Sequence, residues 1–483
     1  MNQTEPARVK SRWLGLGVLC TGMFMIVTDG TVVNVALPTI QVELGFTQAN
    51  LAWVINAFLI PFAGLLLLAG RLGDLIGRQR LFLTGLVTFT LASLLCGLAG
   101  TQELLIAGRF GQGVAGAMCA GVILGKIVTL FDDPGELGKA FGIFAFVLTS
   151  AGAAGLVLGG VLTQLIAWNW IFFINVPVGI ATIVLAIRVL DDDRGPGLGR
   201  GTDFLGAVLV TSGLMLAVYT LVEIPNVGWG SSSTLGFGAA ALALLVGFVV
   251  RQAMAANPLM PLRLFRSRNL SGGNILQAVY VSASLGMFFI TSLYLQLVLE
   301  YTPLQIGMTF LPMTAITAVI TLGFAPKLNA RYGERRMLII GLIPIVIGLA
   351  LLARVPVDGT FLTHLLPSMV LIGGGGLVVP AMTALAMADA PPSDAGLAGA
   401  LFNTMQQVGG AIGVAVLAAV STAHTARLAT EGTPQVEALT GGYRLGFLVA
   451  MGFILLCLAI AVLVLRKTAR PVPTDDAAEP AAA

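Results

Sequence analysis

Fourteen apolar stretches, each long enough to cross a bilayer, constrain this chain more than any other feature. They run over residues 13–38, 50–70, 81–100, 102–125, 140–166, 170–190, 204–224, 234–254, 271–298, 304–326, 337–355, 362–387, 396–423 and 443–465. A spanning helix needs about 20 mostly apolar residues, and inside lipid it satisfies its own backbone hydrogen bonds. The rest of the composition agrees. Asp, Glu, Lys and Arg make up 10% of the chain and hydrophobic residues 57%, whereas a soluble domain carries roughly 25% charged residues. So few charges do not make a water-facing surface, and most of the exterior must face lipid. The expected fold class is an all-α polytopic membrane protein.

Composition also excludes several functions. A net charge of +3 leaves no basic patch for a nucleic acid. Cys20, Cys96, Cys119 and Cys457 sit in apolar runs without a CxxC pair, so they read as small buried hydrophobes, not a disulfide framework or zinc site. Only His364 and His424 are available for metal chemistry. No metal and no cofactor are expected. A membrane-embedded enzyme would need a convergent nucleophile–base or metal constellation, and neither HExxH nor GxSxG is in place. The first apolar run continues past Asp29 to Pro38, too long for the core of a signal peptide, and is kept as a helix of the mature chain.

Lys and Arg concentrate on the cytoplasmic side of membrane proteins. With a cytoplasmic N-terminus, the inner side holds Arg8, Lys10 and Arg12, then Arg71, Arg78 and Arg80, then Lys126 and Lys139, then Arg188, Arg194 and Arg200. Arg251, Arg263, Arg266 and Arg268 follow, then Lys327, Arg331, Arg335 and Arg336, and last Arg466, Lys467 and Arg470. These are 22 of the 26 basic residues. A misplaced helix would scramble that alternation, so the charges support the helix count and place both termini in the cytoplasm. Two breaks divide the chain. Asp191 to Gly201 is charged and Gly-rich, and Asn257 to Asn269 carries two prolines and three arginines. The resulting organisation is a cytoplasmic tail at 1–12, a six-helix bundle at 13–190, a linker with two inserted helices at 191–270, a second six-helix bundle at 271–466, and a Pro/Ala/Asp-rich tail at 467–483 expected to be disordered.

Between the second and third apolar runs lies a loop, Gly70-Arg71-Leu72-Gly73-Asp74-Leu75-Ile76-Gly77-Arg78-Gln79-Arg80. Its glycines permit a tight turn, and Asp74 can accept from backbone amides or pair with nearby arginines. The spaced pattern GxLxDxxGRxR resembles the signature loop of the major facilitator superfamily. A weaker echo, Asn329 to Arg336, occupies the matching position of the second half, as in repeat-built transporters. Asp29-Gly30-Thr31-Val32-Val33-Asn34-Val35-Ala36-Leu37-Pro38 resembles the first-helix signature of the fourteen-helix drug:proton antiporters within that superfamily. Arg109, Gln112 and Gly113 resemble its fourth-helix element, and Gly155-Leu156-Val157-Leu158-Gly159-Gly160 its helix-five antiporter motif. Trp168 to Pro177 follows as in that family, and the resemblance covers nearly the whole chain. Three positions depart from it. Leu156 replaces a proline that would loosen helix five, Asn169 replaces an arginine, and Phe58 stands where tyrosine is common.

The resemblance implies the major facilitator fold, two six-helix bundles plus a two-helix insert, in the plasma (inner) membrane. It implies a proton-coupled antiporter that exports amphipathic or hydrophobic small molecules by alternating access, with small-molecule substrate, protons and the lipid bilayer as partners, acting as a monomer. The alternative is an exporter dedicated to one metabolite or self-made antibiotic. A passive channel would not accumulate substrate against a gradient.

Ionisable groups inside the bilayer cost about 2.5–3.5 kcal/mol on insertion scales and are functional candidates by default. Asp29 precedes Pro38 by nine residues, or ~13 Å, and Arg109 follows Gln102 by seven, or ~10 Å. They occupy similar depths, and the family fold makes their helices neighbours. A carboxyl in low dielectric keeps its proton when alone and gives it up beside a guanidinium. Asp29 is therefore the candidate proton carrier and Arg109 its counter-charge, against the plainer reading of a static buried pair. Gly70, Asp74, Gly77 and Arg78 are the candidate conformational switch, and Gly155, Gly159 and Gly160 carry the antiporter motif. Candidates for the substrate cavity are Asn34, Asn56, Gln112, Glu223, Glu300, Asn403, Gln406 and Gln407. Glu223 and Glu300 sit near outer helix ends, where a solvated rim residue is the leading reading and attraction of cationic drugs the alternative. At the position of Glu300 the family commonly has glycine.

Overall fold

The computed structural model describes residues 5–465, apart from 47, 132, 194, 196, 198–202, 229, 256–257 and 392–393. The tail at 467–483 and most of the linker around Arg200 lie outside the described residues. Among the described residues, fourteen helices are long and apolar enough to cross a membrane. We label them α1 (Glu5–Leu44), α2 (Trp53–Ile76), α3 (Arg78–Gly97), α4 (Gln102–Leu130), α5 (Pro134–Leu165), α6 (Asn175–Val189), α7 (Phe204–Val227), α8 (Ser232–Met254), α9 (Arg268–Leu297), α10 (Pro303–Ala318), α11 (Glu334–Leu352), α12 (Val378–Met387), α13 (Ala395–Thr430) and α14 (Gln435–Leu463). The spans of α6, α10 and α12 are compound, that of α6 beginning with a short helix, Trp170–Phe173. Beyond α10 the chain passes through a π-helical turn, Val319–Phe324, into Ala325–Tyr332. Ahead of α12 it runs from a π turn through Leu366–Ile372 and a 3-10 turn, Gly373–Leu377.

Local chemistry sets the helix starts. The side chains of Thr101, Asp133, Ser231 and Ser267 each accept from the backbone N–H three residues on. Thr302 and Gln305 form a reciprocal capping box. Each satisfies a donor that the first helical turn leaves without a partner.

Between helices, small residues let backbones close up, since lipid supplies no hydrophobic drive. A Cβ on Gly121 would lie 3.0 Å from the Gly70 nitrogen of α2, and one on Gly108 3.3 Å from the Cys96 nitrogen of α3. In the second half Gly286 of α9 presses on the Gly413 carbonyl of α13 at 3.0 Å by the same measure.

The two inserted helices are not free-standing. They pack on each other, and α7 lies against both α2 and α13. Trp53 of α2 stacks on Tyr219 of α7 at 6.3 Å and 28°. At the other end of the insert, Asp203 caps α7 through the Gly206 N–H (3.0 Å), pairs with Arg251 of α8 (3.0 Å), and accepts from Gln252 (2.7 Å). Gln252 accepts in turn from the Met260 N–H at 2.9 Å. One carboxylate thus ties the entry, the exit and the following segment together.

Candidate functional site

Asp29 sits in the middle of α1, 1% exposed, and the structure brings it onto Arg109, also 1% exposed. Arg109 and Gln112 are three residues apart on α4 and share a face. Nη1 of Arg109 donates to Oδ2 of Asp29 and, at 2.8 Å, to Oε1 of Gln112. Nε2 of Gln112 donates to Oδ1 of Asp29 and to the Ser93 hydroxyl of α3, both at 2.9 Å. Nδ2 of Asn175, the first residue of α6, donates to Oδ1 of Asp29 at 2.8 Å. The remaining side of the guanidinium is held by α2, with Nε donating to the Val54 carbonyl at 2.9 Å and the Phe58 ring 4.6 Å from Cζ. Phe172 lies 5.8 Å away on another side. Phe58 offers the ring face that a cation requires, which phenylalanine supplies as tyrosine would. Each charge is buried, paired and hydrogen-bonded, the condition under which an ion pair survives in low dielectric.

The second cluster lies at the basic end of the bundle. The stretch from Gly70 to Arg80 is not a loop. α2 continues through Asp74 to Ile76, α3 begins at Arg78, and the connection is Gly77 alone, at φ 111°. Only glycine adopts that backbone readily. The apolar run ends at Gly70, but a helix tolerates charged residues in its last turns and stops at the glycine, Gly77. Asp74 accepts from Arg78 Nε (2.9 Å) and Nη2 (2.7 Å) within the turn. It also accepts from the backbone N–H groups of Gly396 (3.1 Å) and Leu397 (2.9 Å), which open α13. A carboxylate at a helix N-terminus meets both unsatisfied donors and the positive end of the dipole. Gly70 packs directly on Ala400 and Gly396 of α13. Asp394, just ahead of α13, pairs with Arg71 at 3.6 Å and Arg263 at 3.0 Å. Nδ2 of Asn403 donates across to the Ala120 carbonyl of α4 at 2.9 Å. The two six-helix sets therefore meet tightly at this face.

Asp191–Asp193, which reads in sequence as a solvated break, is strapped along the same turn. Oδ1 of Asp193 accepts from the Gln79 N–H at 2.9 Å, and Gly197 N donates to the Leu75 carbonyl at 2.8 Å. Nζ of Lys126 donates to the Asp191 carbonyl at 2.9 Å and pairs with Asp193 at 3.3 Å. Arg80 pairs with Asp192 at 3.1 Å.

Of the antiporter-motif glycines, Gly155 and Gly159 seat α5 on α1. A Cβ on Gly155 would overlap Thr31 Oγ1 and lie 2.9 Å from the Thr28 carbonyl, and one on Gly159 would lie 2.9 Å from the Val32 carbonyl. Gly160 faces open space, and α5 runs unbroken through residue 156. Asn169 donates to the Gly97 carbonyl at 3.0 Å.

The cavity candidates scatter. Gln112 belongs to the Asp29 cluster and Asn403 to the contact between halves, so neither is a free cavity wall. Asn34 is exposed and donates to the Gly30 and Thr31 carbonyls of its own helix. Gln406, Gln407 and Glu223 are half-buried. Glu300 is exposed in the turn after α9 at φ 55°, the one positive-φ residue other than glycine among those described, which accounts for glycine being favoured there. Asn56 alone of the set lines a groove of about 560 Å³ between α2 and α4. Sequence reasoning passed over Ser93, Val54 and Asn175. Asn175 carried a signal, because it is a polar amide inside the apolar run 170–190.

Comparison with known proteins agrees with this architecture. A family model described as Major Facilitator Superfamily matches residues 19–414. The puromycin resistance protein pur8 of Streptomyces alboniger is 38% identical over 458 residues, covering 93% of this chain and 90% of the relative. The cephamycin export protein CmcT of Amycolatopsis lactamdurans is 37% identical over 463 residues, with 95% and 93% covered. Among solved structures, the human organic anion transporter MFSD10 superposes with a TM-score of 0.68 at 15% identity, over 93% of this chain and 99% of that one. The proton:xylose symporter XylE gives 0.63 at 12% identity, over 93% and 96%.

Proposed function

This chain belongs to the major facilitator superfamily, a family of multi-pass membrane transporters, and on that premise we propose that it is a proton-coupled antiporter exporting amphipathic or hydrophobic small molecules by alternating access. The observation that carries the reading is the Asp29–Arg109 pair, fully buried near mid-span and held by Gln112 and Asn175. An ionisable pair at that depth is expensive, and a structural brace has cheaper apolar substitutes. In the proposed cycle Asp29 takes up a proton from outside while parted from Arg109. Re-forming the pair expels the proton inward. The Asp74 cluster closes the basic face by binding the N-terminus of α13, and its release lets the two six-helix sets, 13–190 and 271–466, rock about the substrate. The chain acts as a monomer in the plasma membrane with both termini and the basic face cytoplasmic.

The functions of the relatives, resistance to puromycin and export of cephamycin, favour a second reading in which one antibiotic is the natural cargo. Efflux from energised cells tests both. Ethidium and puromycin are loaded, and extrusion is followed with and without a protonophore. Protonophore-sensitive loss of both supports the broad exporter, and of puromycin alone the narrow one. Asp29→Asn is expected to abolish the sensitive component. Its loss in Asp29→Asn, together with wild-type coupling in Arg109→Ala, would refute the paired mechanism.

A further inference from the structure

Helices α2 and α4 are in close contact along much of their length, and a groove lined by both runs toward Trp53 and Glu103. Where they close, glycine is required. A Cβ on Gly113 would lie 2.7 Å from the Pro61 ring, and one on Gly116 3.0 Å from Phe62. The Gly113 approach also meets the Phe58 carbonyl, Arg109 Nε donates to the Val54 carbonyl, and beside these contacts the two helices line the groove of about 560 Å³. That volume is the size of a drug pocket. Trp53 and Phe110 offer ring surfaces, 36% and 49% exposed, Ile60 and Ile106 offer aliphatic surface, and Asn56 offers an amide. One ionisable group lines it, Glu103, exposed in the first turn of α4. The guanidinium of Arg109, on the same helix as Glu103, is turned onto Asp29 and the Val54 carbonyl.

We propose that this groove is a binding site for an aromatic or otherwise bulky apolar monocation, with Glu103 as the counter-charge and Trp53 and Phe110 as the ring surfaces against it. The assignment deepens the export reading and rests on it for its role as a substrate site. Charge decides the class. A carboxylate without a basic neighbour in the lining repels anions, and aromatic faces attract a poorly hydrated cation more than its neutral isostere. Position gives the site a consequence. Phe58, adjacent in sequence to Ala57 of the groove wall, carries its ring against Arg109. A ligand wedged between α2 and α4 therefore presses on the helix face that holds the buried pair.

The test is equilibrium binding of tetraphenylphosphonium to the full chain in phospholipid nanodiscs at pH 7.5, beside the neutral triphenylphosphine oxide. Glu103→Gln is expected to raise the Kd for the cation on the order of tenfold and leave the neutral probe unchanged. Phe110→Ala is expected to weaken both, and Glu300→Gln neither. Unchanged cation binding in Glu103→Gln, or an equal loss in Glu300→Gln, would overturn the site. So would a co-purifying phospholipid that the cation does not displace from the groove. Thermal melts of the variants establish that they are folded. No gradient is present, so the outcome is independent of proton coupling. A chain that binds the cation here but shows no protonophore-sensitive efflux sinks the antiport reading and leaves the site standing.

Discussion

Gly70→Ala isolates the closure of the basic face in a single methyl group. A Cβ at Gly70 would overlap the Ala400 methyl and come within 2.7 Å of the Gly396 carbonyl oxygen. Neither obstacle is a flexible side-chain end, because one is a Cβ and the other is backbone. To restore ordinary contact, α2 and α13 must part by about 1 Å at this crossing. Asp74 lies one turn along α2, and its bonds to the Gly396 and Leu397 N–H groups, 3.1 and 2.9 Å, would stretch to or past the useful limit. Hydrogen bonds to a charged group contribute about 1.5–3 kcal/mol each. Allowing for partial relaxation, the closed face loses about 3 kcal/mol, on the order of 100-fold in its population relative to the open one. Spin labels at Thr84 of α3 and Arg336 of α11, both exposed, report the separation of the two sets. The four native cysteines are buried and compete poorly for label. Gly70→Ala is expected to move the distance distribution to longer values, whereas Gly17→Ala, where a Cβ meets nothing within 4 Å, leaves it in place. A Gly70→Ala distribution that overlays the wild type would refute the closure geometry.

Two further outcomes follow from local structure. Glu300 holds φ 55°, which costs an L-residue roughly 1–2 kcal/mol, partly offset by the unfolded-state entropy glycine brings. Glu300→Gly should therefore raise thermal stability by up to about 1 kcal/mol; a lowered melting temperature would show that the glutamate side chain outweighs the strain. Burial opposes ionisation of Asp203, but the Gly206 N–H, Arg251 and Gln252 outweigh it and hold the carboxyl below the usual range. A lowered value means stability that is complete above the unfolded value of about 4 and lost as pH falls through the folded one. The melting-temperature gap between wild type and Asp203→Asn should accordingly be constant from about pH 5 to 8 and narrow below about pH 4; a gap that widens on acidification would contradict it.

The spans were legible because lipid imposes one rule on every residue facing it. Placing Asp29 and Arg109 at one depth needed only helix rise. Where charge or glycine interrupts the pattern, legibility fails for identifiable reasons. The apolar run ends at Gly70, yet α2 continues to Ile76, because hydropathy marks the membrane while Gly77 marks the helix end. Asp191–Asp193 looks like solvated charge because its partners, Gln79, Arg80 and Lys126, stand far off in sequence. Gly373–Gly376 sits in a 3-10 turn inside a run that reads as one continuous helix. A Cβ on Gly376 would lie 2.7 Å from the Thr317 carbonyl, and such close approach is a tertiary fact. Asn175 was visible as a residue but not as a ligand of Asp29, because it enters from a different helix.

The partners of the two carboxylates separate two motions. Asp74 is held by amides of α13, so it must release when the two six-helix sets part. The hydrogen-bond donors of Asp29, from Arg109, Gln112 and Asn175, all lie on α4 and α6, within the first set. Rocking one set as a rigid body against the other leaves that pair intact. Parting Asp29 from Arg109 instead requires a shift inside the first set, and α4 is suited to it. Its contacts with α2 run through glycines, from Gly113 at Phe58 and Pro61 to Gly121 at Gly70. Those contacts form a close seam, against backbone at Gly113 and Gly121 and against the Phe62 ring at Gly116, from the buried pair to the residue that seats α13. If Asp29 carries the proton, as proposed, its protonation would act on the basic face by sliding α4 along α2, so Asp29→Asn is expected to change the Thr84–Arg336 distance distribution without any substrate present. An Asp29→Asn distribution that matches the wild type would leave the seam static, and opening would then have to be driven by substrate.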